Sequence, residues 1–131
     1  MAKIRILLAD DHAAMLERVR VELGEDFDIV GTATNGRDAV EAVLRLRPDV
    51  LVTDISMPIL DGLRAASQLR AANSPTRIVF LTIHMDPDYV AAALSAGAYG
   101  YVTKPHISTD LIPAIHEALE GHVFVSRAAK K

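Results

Sequence analysis

Asp10, Asp11, Asp54, Thr82 and Lys104 each follow a short apolar run of the chain. The runs are residues 4–9 before Asp10-Asp11, 50–53 before Asp54, 78–81 before Thr82 and 99–103 before Lys104-Pro105. As parallel strands of one sheet they would gather three carboxylates, a hydroxyl and an ammonium at its carboxyl edge, where open α/β sheets place their ligands. Like charges held together are costly unless a cation neutralises them. Magnesium takes oxygen ligands, commonly one or two carboxylates with waters and a substrate phosphate. Asp10, Asp11 and Asp54 suit that donor set. Helix capping, the ordinary task of an Asp at a helix start, does not account for all of them together with Lys104. The lysine can pair with Asp54 at rest and with a phosphoryl oxygen afterwards, and a cis bond to Pro105 would turn it back toward the acids. Thr82 offers its hydroxyl to the same oxygens, although threonine is also simply a good strand residue. Tyr101 reads either as a packed aromatic or as a side chain that moves between buried and exposed positions. The pattern is that of a magnesium-dependent phosphoryl site.

The elements that must position these residues alternate along the chain. Strands are expected at residues 3–9, 27–33, 49–53, 77–81 and 99–103, with helices at about 13–23, 37–46, up to 72, and 87–95. Leu16, Val19 and Leu23 share one face of the first helix and Glu17, Arg18 and Glu22 the other, the mark of an amphipathic helix. The third strand is apolar almost throughout, as a strand covered on both faces should be. Thr34-Asn35-Gly36 suits a turn and helix start, Pro48 stops the second helix, and Gly97 suits the end of the fourth. The last helix is expected to start at a capping Ser108 or Thr109 and to end at Gly121. The sum is a single α/β domain with a central five-stranded parallel sheet and helices on both faces. Residues 1–121 form the domain, and 122–131 are a short tail, ending in two lysines, or the start of a linker to a missing output domain.

The formal net charge of −3 gives no support to nucleic-acid binding by this chain, since phosphate backbones demand a basic surface. There is no cysteine, so disulfides and thiolate metal sites are excluded. His12, His106, His116 and His122 show no spacing that suggests a transition-metal site. No signal-peptide pattern follows Met1 and no apolar stretch approaches the ~20 residues that span a bilayer, so the expected location is the cytoplasm, away from the membrane.

Ala9-Asp10-Asp11-His12, Thr53-Asp54-Ile55-Ser56-Met57-Pro58 through Asp61-Gly62, Leu81-Thr82 and Gly100-Tyr101-Val102-Thr103-Lys104-Pro105 resemble the motifs of receiver domains of two-component response regulators. The resemblance covers residues 3–121. Asp54-Ile55-Ser56-Met57-Pro58 and the ending Glu120-Gly121-His122-Val123-Phe124-Val125-Ser126 are closest to receivers that precede a LuxR-type helix-turn-helix domain.

The resemblance implies a flavodoxin-like (βα)5 fold and a role for each residue. Asp54 would be the phosphoacceptor, taking the phosphoryl group from a sensor histidine kinase. Asp11, Asp54 and the backbone carbonyl of Ser56 would ligate Mg2+, with Asp10 acting near its water shell. Lys104 and Thr82 would contact the phosphoryl oxygens, and Tyr101 would be the aromatic switch. Phosphorylation would alter the face made by helix four, strand five and helix five, with a homodimer as one outcome. DNA would be reached only through an output domain not present in this chain, to control transcription. The chain would be a self-phosphorylating acceptor with slow autodephosphorylation rather than an enzyme.

Ser56 and His84 lie two residues beyond Asp54 and Thr82, where the family varies residues that tune dephosphorylation; His84 itself reads as an exposed loop histidine. Pro113 removes a backbone donor within the last helix, which bears on dimer geometry. Two other functions compete. An aspartate-nucleophile phosphatase of the haloacid dehalogenase kind wants a second Asp two residues after the first, where Ser56 stands. A phosphorylation-independent docking module usually lacks one of the acids or the lysine, and all are present here.

Overall fold

The computed structural model describes residues 2–129. β1 (Ile4–Ala9), β2 (Phe27–Ala33), β3 (Val50–Thr53), β4 (Arg77–Thr82), β5 (Gly100–Thr103) and β6 (Phe124–Val125) form one sheet in the order β2-β1-β3-β4-β5-β6. All neighbouring pairs are parallel. The helices are α1 (Ala13–Leu23), α2 (Gly36–Leu46), α3 (Gly62–Ala71), α4 (Pro87–Ser95) and α5 (Ile107–Leu119).

The central strands are apolar on both faces because both are covered. Successive side chains of a strand point to opposite faces, and the core divides accordingly. Ile6, Leu8, Val52, Val79, Leu81 and Val102 pack with residues of α1 and α5. Leu7, Ala9, Leu51, Phe80 and Tyr101 pack with residues of α2, α3 and α4. The helices on that second side start on side-chain caps, which satisfy backbone donors left free by the first turn. Asn35 accepts from the Asp38 amide, Asp61 from that of Arg64 and Asp86 from that of Asp88, each at 2.8 Å. Gly97, with φ 98°, follows the end of α4 in the left-handed conformation that glycine adopts freely.

The structure departs from the sequence-based expectations at its C-terminal end. The sheet has six strands, not five. Residues expected to be a tail contribute Phe124–Val125, paired with Gly100 and Tyr101. Two residues give too short an apolar run to read as a strand, and pairing with β5 supplies what periodicity lacks. Ser126 and Ala129 are buried as well, while the terminal Lys130 and Lys131 lie outside the described residues. The last helix begins at Ile107, without a side-chain cap, because residues Lys104–His106 already form a 3-10 turn leading into it. Neither Ser108 nor Thr109 caps it; the Thr109 hydroxyl instead donates to the His106 carbonyl at 3.3 Å. Pro113 lies on the exposed side of α5, and the helix runs through it. Every peptide bond among the described residues is trans, including that between Lys104 and Pro105.

No helix among the described residues is long and apolar enough to cross a membrane.

Candidate functional site

The ends of β1 and β3 lie side by side, Ala9 opposite Thr53. The chain order reverses around β1, which is flanked by β2 and β3, so this edge is the topological switch point of the sheet. The Asp54 amide donates to the Ala9 carbonyl and the Asp10 amide to the Ala33 carbonyl, both at 3.0 Å. Both acids are therefore fixed by the last backbone bonds of the sheet. Asp10 is 4% and Asp54 5% exposed, too little for two anions without compensation.

Lys104 supplies it. Its turn follows β5, and its Nζ lies 2.9 Å from Asp10 Oδ2 and 2.9 Å from Asp54 Oδ2. Burial pulls the ammonium toward the neutral form, but hydrogen bonds first to Asp54 and then to Asp10 outweigh it and hold the pKa above the ordinary lysine value. The lysine reaches both acids across a trans bond to Pro105, so the cis isomer is not needed. Asp54 Oδ1 accepts the Ile55 amide at 2.7 Å, which fixes the plane of the carboxylate.

Asp11 is the most exposed of the acids, its side chain 31% accessible. Close to it and to Asp10 sits His12, for which histidine spacing gave no expectation of a metal site. His12 donates its backbone N–H to Asp10 Oδ1 at 2.9 Å, and its Nδ1 lies 3.1 Å from that oxygen and 3.2 Å from Asp11 Oδ1. Spacing among histidines carried no signal of this, because the partners are carboxylates in the same loop. One ligand atom from each of Asp10, Asp11, His12 and Asp54 falls within 4.8 Å of the others. These carboxylate oxygens are the donor set a hard divalent cation takes.

Thr82 closes β4 in register with Thr103 and is fully buried. Its Oγ1 accepts the His84 amide at 3.3 Å. His84 is not the free loop histidine its position suggests. Its Nε2 lies 2.8 Å from Ser56 Oγ, and its ring stacks on Tyr89 with centroids 4.1 Å apart. Ser56, exposed in the β3–α3 loop, is thus tied to the β4–α4 loop. Tyr101, for which packed and mobile readings were both open, is buried, and its hydroxyl donates to the His84 carbonyl at 2.7 Å.

Gly62 sets how closely the β3–α3 loop lies against Asp54. A Cβ there would overlap the Asp54 carbonyl and come within 3.0 Å of Ile55 Cα and of Phe80 Cε1. Only a residue without a side chain permits the 2.7 Å bond from the Gly62 amide to the Ile55 carbonyl in this arrangement. The assembled pocket can neutralise and orient an anionic group beside a fixed carboxylate.

Comparison with known proteins agrees with this geometry. Residues 6–116 match the model of the response regulator receiver domain. The chain is 36% identical over 120 residues to the uncharacterized transcriptional regulatory protein YvfU of Bacillus subtilis, covering 90% of this chain and 60% of that protein. The chain spans about 60% of the length of the curated relatives it matches. Among solved structures, a LuxR-family two-component response regulator from Aurantimonas sp. superposes with a TM-score of 0.92 at 29% identity, covering 98% of this chain and 93% of that one. The receiver domain of the response regulator NarL from Mycobacterium tuberculosis gives 0.88 at 31% identity, covering 93% of this chain and all of that one. The chain belongs to the response regulator receiver domain family, among relatives of the NarL and LuxR type.

Proposed function

We propose that Asp54 is the phosphoacceptor and that the chain receives a phosphoryl group from the phosphohistidine of a sensor histidine kinase. The observation that carries this reading is the placement of Lys104 Nζ at 2.9 Å from both Asp10 and Asp54, at the switch point of the sheet. In the transfer an Asp54 carboxylate oxygen forms a bond to phosphorus, the phosphorus–nitrogen bond of the phosphohistidine breaks, and the imidazole leaves with the bonding electron pair. Such a transfer asks a protein mainly for positioning and charge neutralisation. The Ile55 amide and the ladder bond to Ala9 hold the nucleophile in place. Lys104 moves from carboxylate to phosphoryl oxygen, and the Thr82 hydroxyl turns toward the same group. The product is an aspartyl phosphate.

Asp11, Asp54 and the Ser56 backbone carbonyl would hold Mg2+, with Asp10 acting near its water shell. When bound, the ion supplies further neutralisation of phosphoryl charge. The new phosphoryl charge then competes for Thr82 and Lys104 and biases the β4–α4 loop, with Tyr101, between two arrangements. The changed face is that of α4, β5 and α5, and homodimerisation is one readout. Hydrolysis of the aspartyl phosphate is slow and is the only turnover the chain performs.

The YvfU relative is a transcriptional regulatory protein longer than this chain. By extension, the receiver unit runs past residue 121 to take in β6 and the buried Ser126 and Ala129, a DNA-binding output domain follows it, and the chain works in the cytoplasm to control transcription. Intact mass after incubation with magnesium and acetyl phosphate tests the reading. A gain of one phosphoryl group, absent from Asp54→Asn, is expected. No gain from either acetyl phosphate or a cognate kinase would favour the phosphorylation-independent docking module.

A further inference from the structure

We infer that His12 is an additional ligand of the acidic pocket, one that extends its cation range from magnesium to first-row transition ions. The inference rests on the reading of the pocket as a divalent-cation site and adds a nitrogen donor to it. His12 stands at the N-cap position of α1 yet makes no side-chain cap bond. Its ring is directed instead at the acids, with Nδ1 at 3.1 Å from Asp10 Oδ1 and 3.2 Å from Asp11 Oδ1. The four ligand atoms of Asp10, Asp11, His12 and Asp54 fall within 4.8 Å of one another. Opposite corners of an octahedron with magnesium-like bonds are about 4.2 Å apart, so a small contraction would bring Asp11, Asp54 and His12 to one ion, with Asp10 left beside its water shell.

Chemistry decides which ions gain. Magnesium prefers oxygen and takes little from an imidazole, whereas Mn2+, Co2+, Ni2+ and Zn2+ accept it readily. The His12 side chain is 69% exposed, so its ring can turn a lone pair toward the ion without disturbing the core. His84, the other histidine near the pocket, already has its Nε2 2.8 Å from Ser56 Oγ and its ring on Tyr89. A second group, Glu117, Glu120 and His122, also places ligand atoms within 4.8 Å of one another, and it must be controlled for.

The test is Mn2+ binding to the full chain, read by pulsed electron paramagnetic resonance for coupling to a directly bound 14N. Coupling is expected in the parent, in His84→Gln and in His122→Gln, and is lost in His12→Gln. Calorimetry should show Ni2+ affinity falling at least tenfold in His12→Gln while Mg2+ affinity stays within twofold. Mn2+ bound without nitrogen coupling, or coupling that survives His12→Gln, overturns the inference and leaves an all-oxygen pocket. Failure of both Mg2+ and Mn2+ to bind in a manner abolished by Asp54→Asn overturns the cation-site reading itself.

Discussion

Tyr101, whose side chain is fully buried, donates its hydroxyl to the main-chain carbonyl of His84 at 2.7 Å. The bond joins β5 to the loop that follows β4, and the same loop residue reaches back to Ser56 at 2.8 Å. Core, loop and acidic pocket are therefore connected through one histidine. Tyr101→Phe keeps the ring and removes the bond. It should cost about 1 kcal/mol in urea unfolding, with a larger loss if the His84 carbonyl is left dry.

Burial, then the neighbouring Tyr89, Asp54 and Asp86, push the Tyr101 phenol up to about 12 from its ordinary 10.0. The folded state holds this proton longer than the unfolded chain does. Its stabilising effect is complete below pH 10.0 and is lost as pH rises toward about 12. Lys104, also raised above its ordinary value, has the same sign and loses its contribution only at still higher alkalinity than a free lysine would. Absorbance titration of the three tyrosines should resolve one late step, missing from Tyr101→Phe. Three tyrosines ionising together would contradict it.

Lys104→Met leaves Asp10 and Asp54 facing each other without their cation. Removing one partner of a largely buried pair costs ~3–5 kcal/mol, and the loss here should fall near the lower limit because the pocket opens to water beside Asp11. Restoring charge balance with a second change, Asp54→Asn, should recover part of it. Urea melts of the parent, both single variants and the double variant measure this coupling.

Magnesium should raise the unfolding midpoint, since a ligand that binds only the folded state stabilises it. At a hundredfold excess over Kd the gain is ~2.7 kcal/mol. Asp11→Asn should reduce the gain and Asp54→Asn should abolish it. A gain unchanged in both would place the ion outside this pocket.

Gly62→Ala puts a methyl group against the Asp54 carbonyl. Strain of this kind costs ~1–3 kcal/mol, and the β3–α3 loop must move to relieve it. Both a lower unfolding midpoint and slower phosphorylation are expected.

Ser126 tests whether the C-terminal strand is part of the domain. Its hydroxyl donates to Asp110 Oδ2 at 2.6 Å and accepts the Thr103 amide at 3.2 Å. Ser126→Ala leaves the buried Thr103 amide unsatisfied, at ~1–3 kcal/mol, and removes one bond from the half-buried Asp110 carboxylate. A thermal shift of several degrees would show that the sheet extends beyond β5.

The elements and the acidic edge were legible because strand and helix periodicities are local. Residues 50–53 are buried on both faces, and Asn35, in the expected helix start, caps α2 within three residues of itself. What escaped the sequence depends on contacts between distant segments. Phe124 and Val125 become a strand only against β5. His84 is immobilised by Ser56, 28 residues away. His12 was weighed only against other histidines, whose spacing suggests no metal site, and only the folded chain turns its ring to the acids. The dual pairing of Lys104 was half visible, since Asp54 was its expected partner and Asp10 shares it equally.

The most direct measurement is reductive trapping of the phosphorylated chain. Borohydride converts an acyl phosphate to the corresponding alcohol, so peptide mass spectrometry reads the modified residue itself. Homoserine at position 54, dependent on both phosphodonor and magnesium, is the expected result. Reduction at Asp10 or Asp11, or a phosphoryl group carried by a histidine or serine with Asp54 intact, would contradict it.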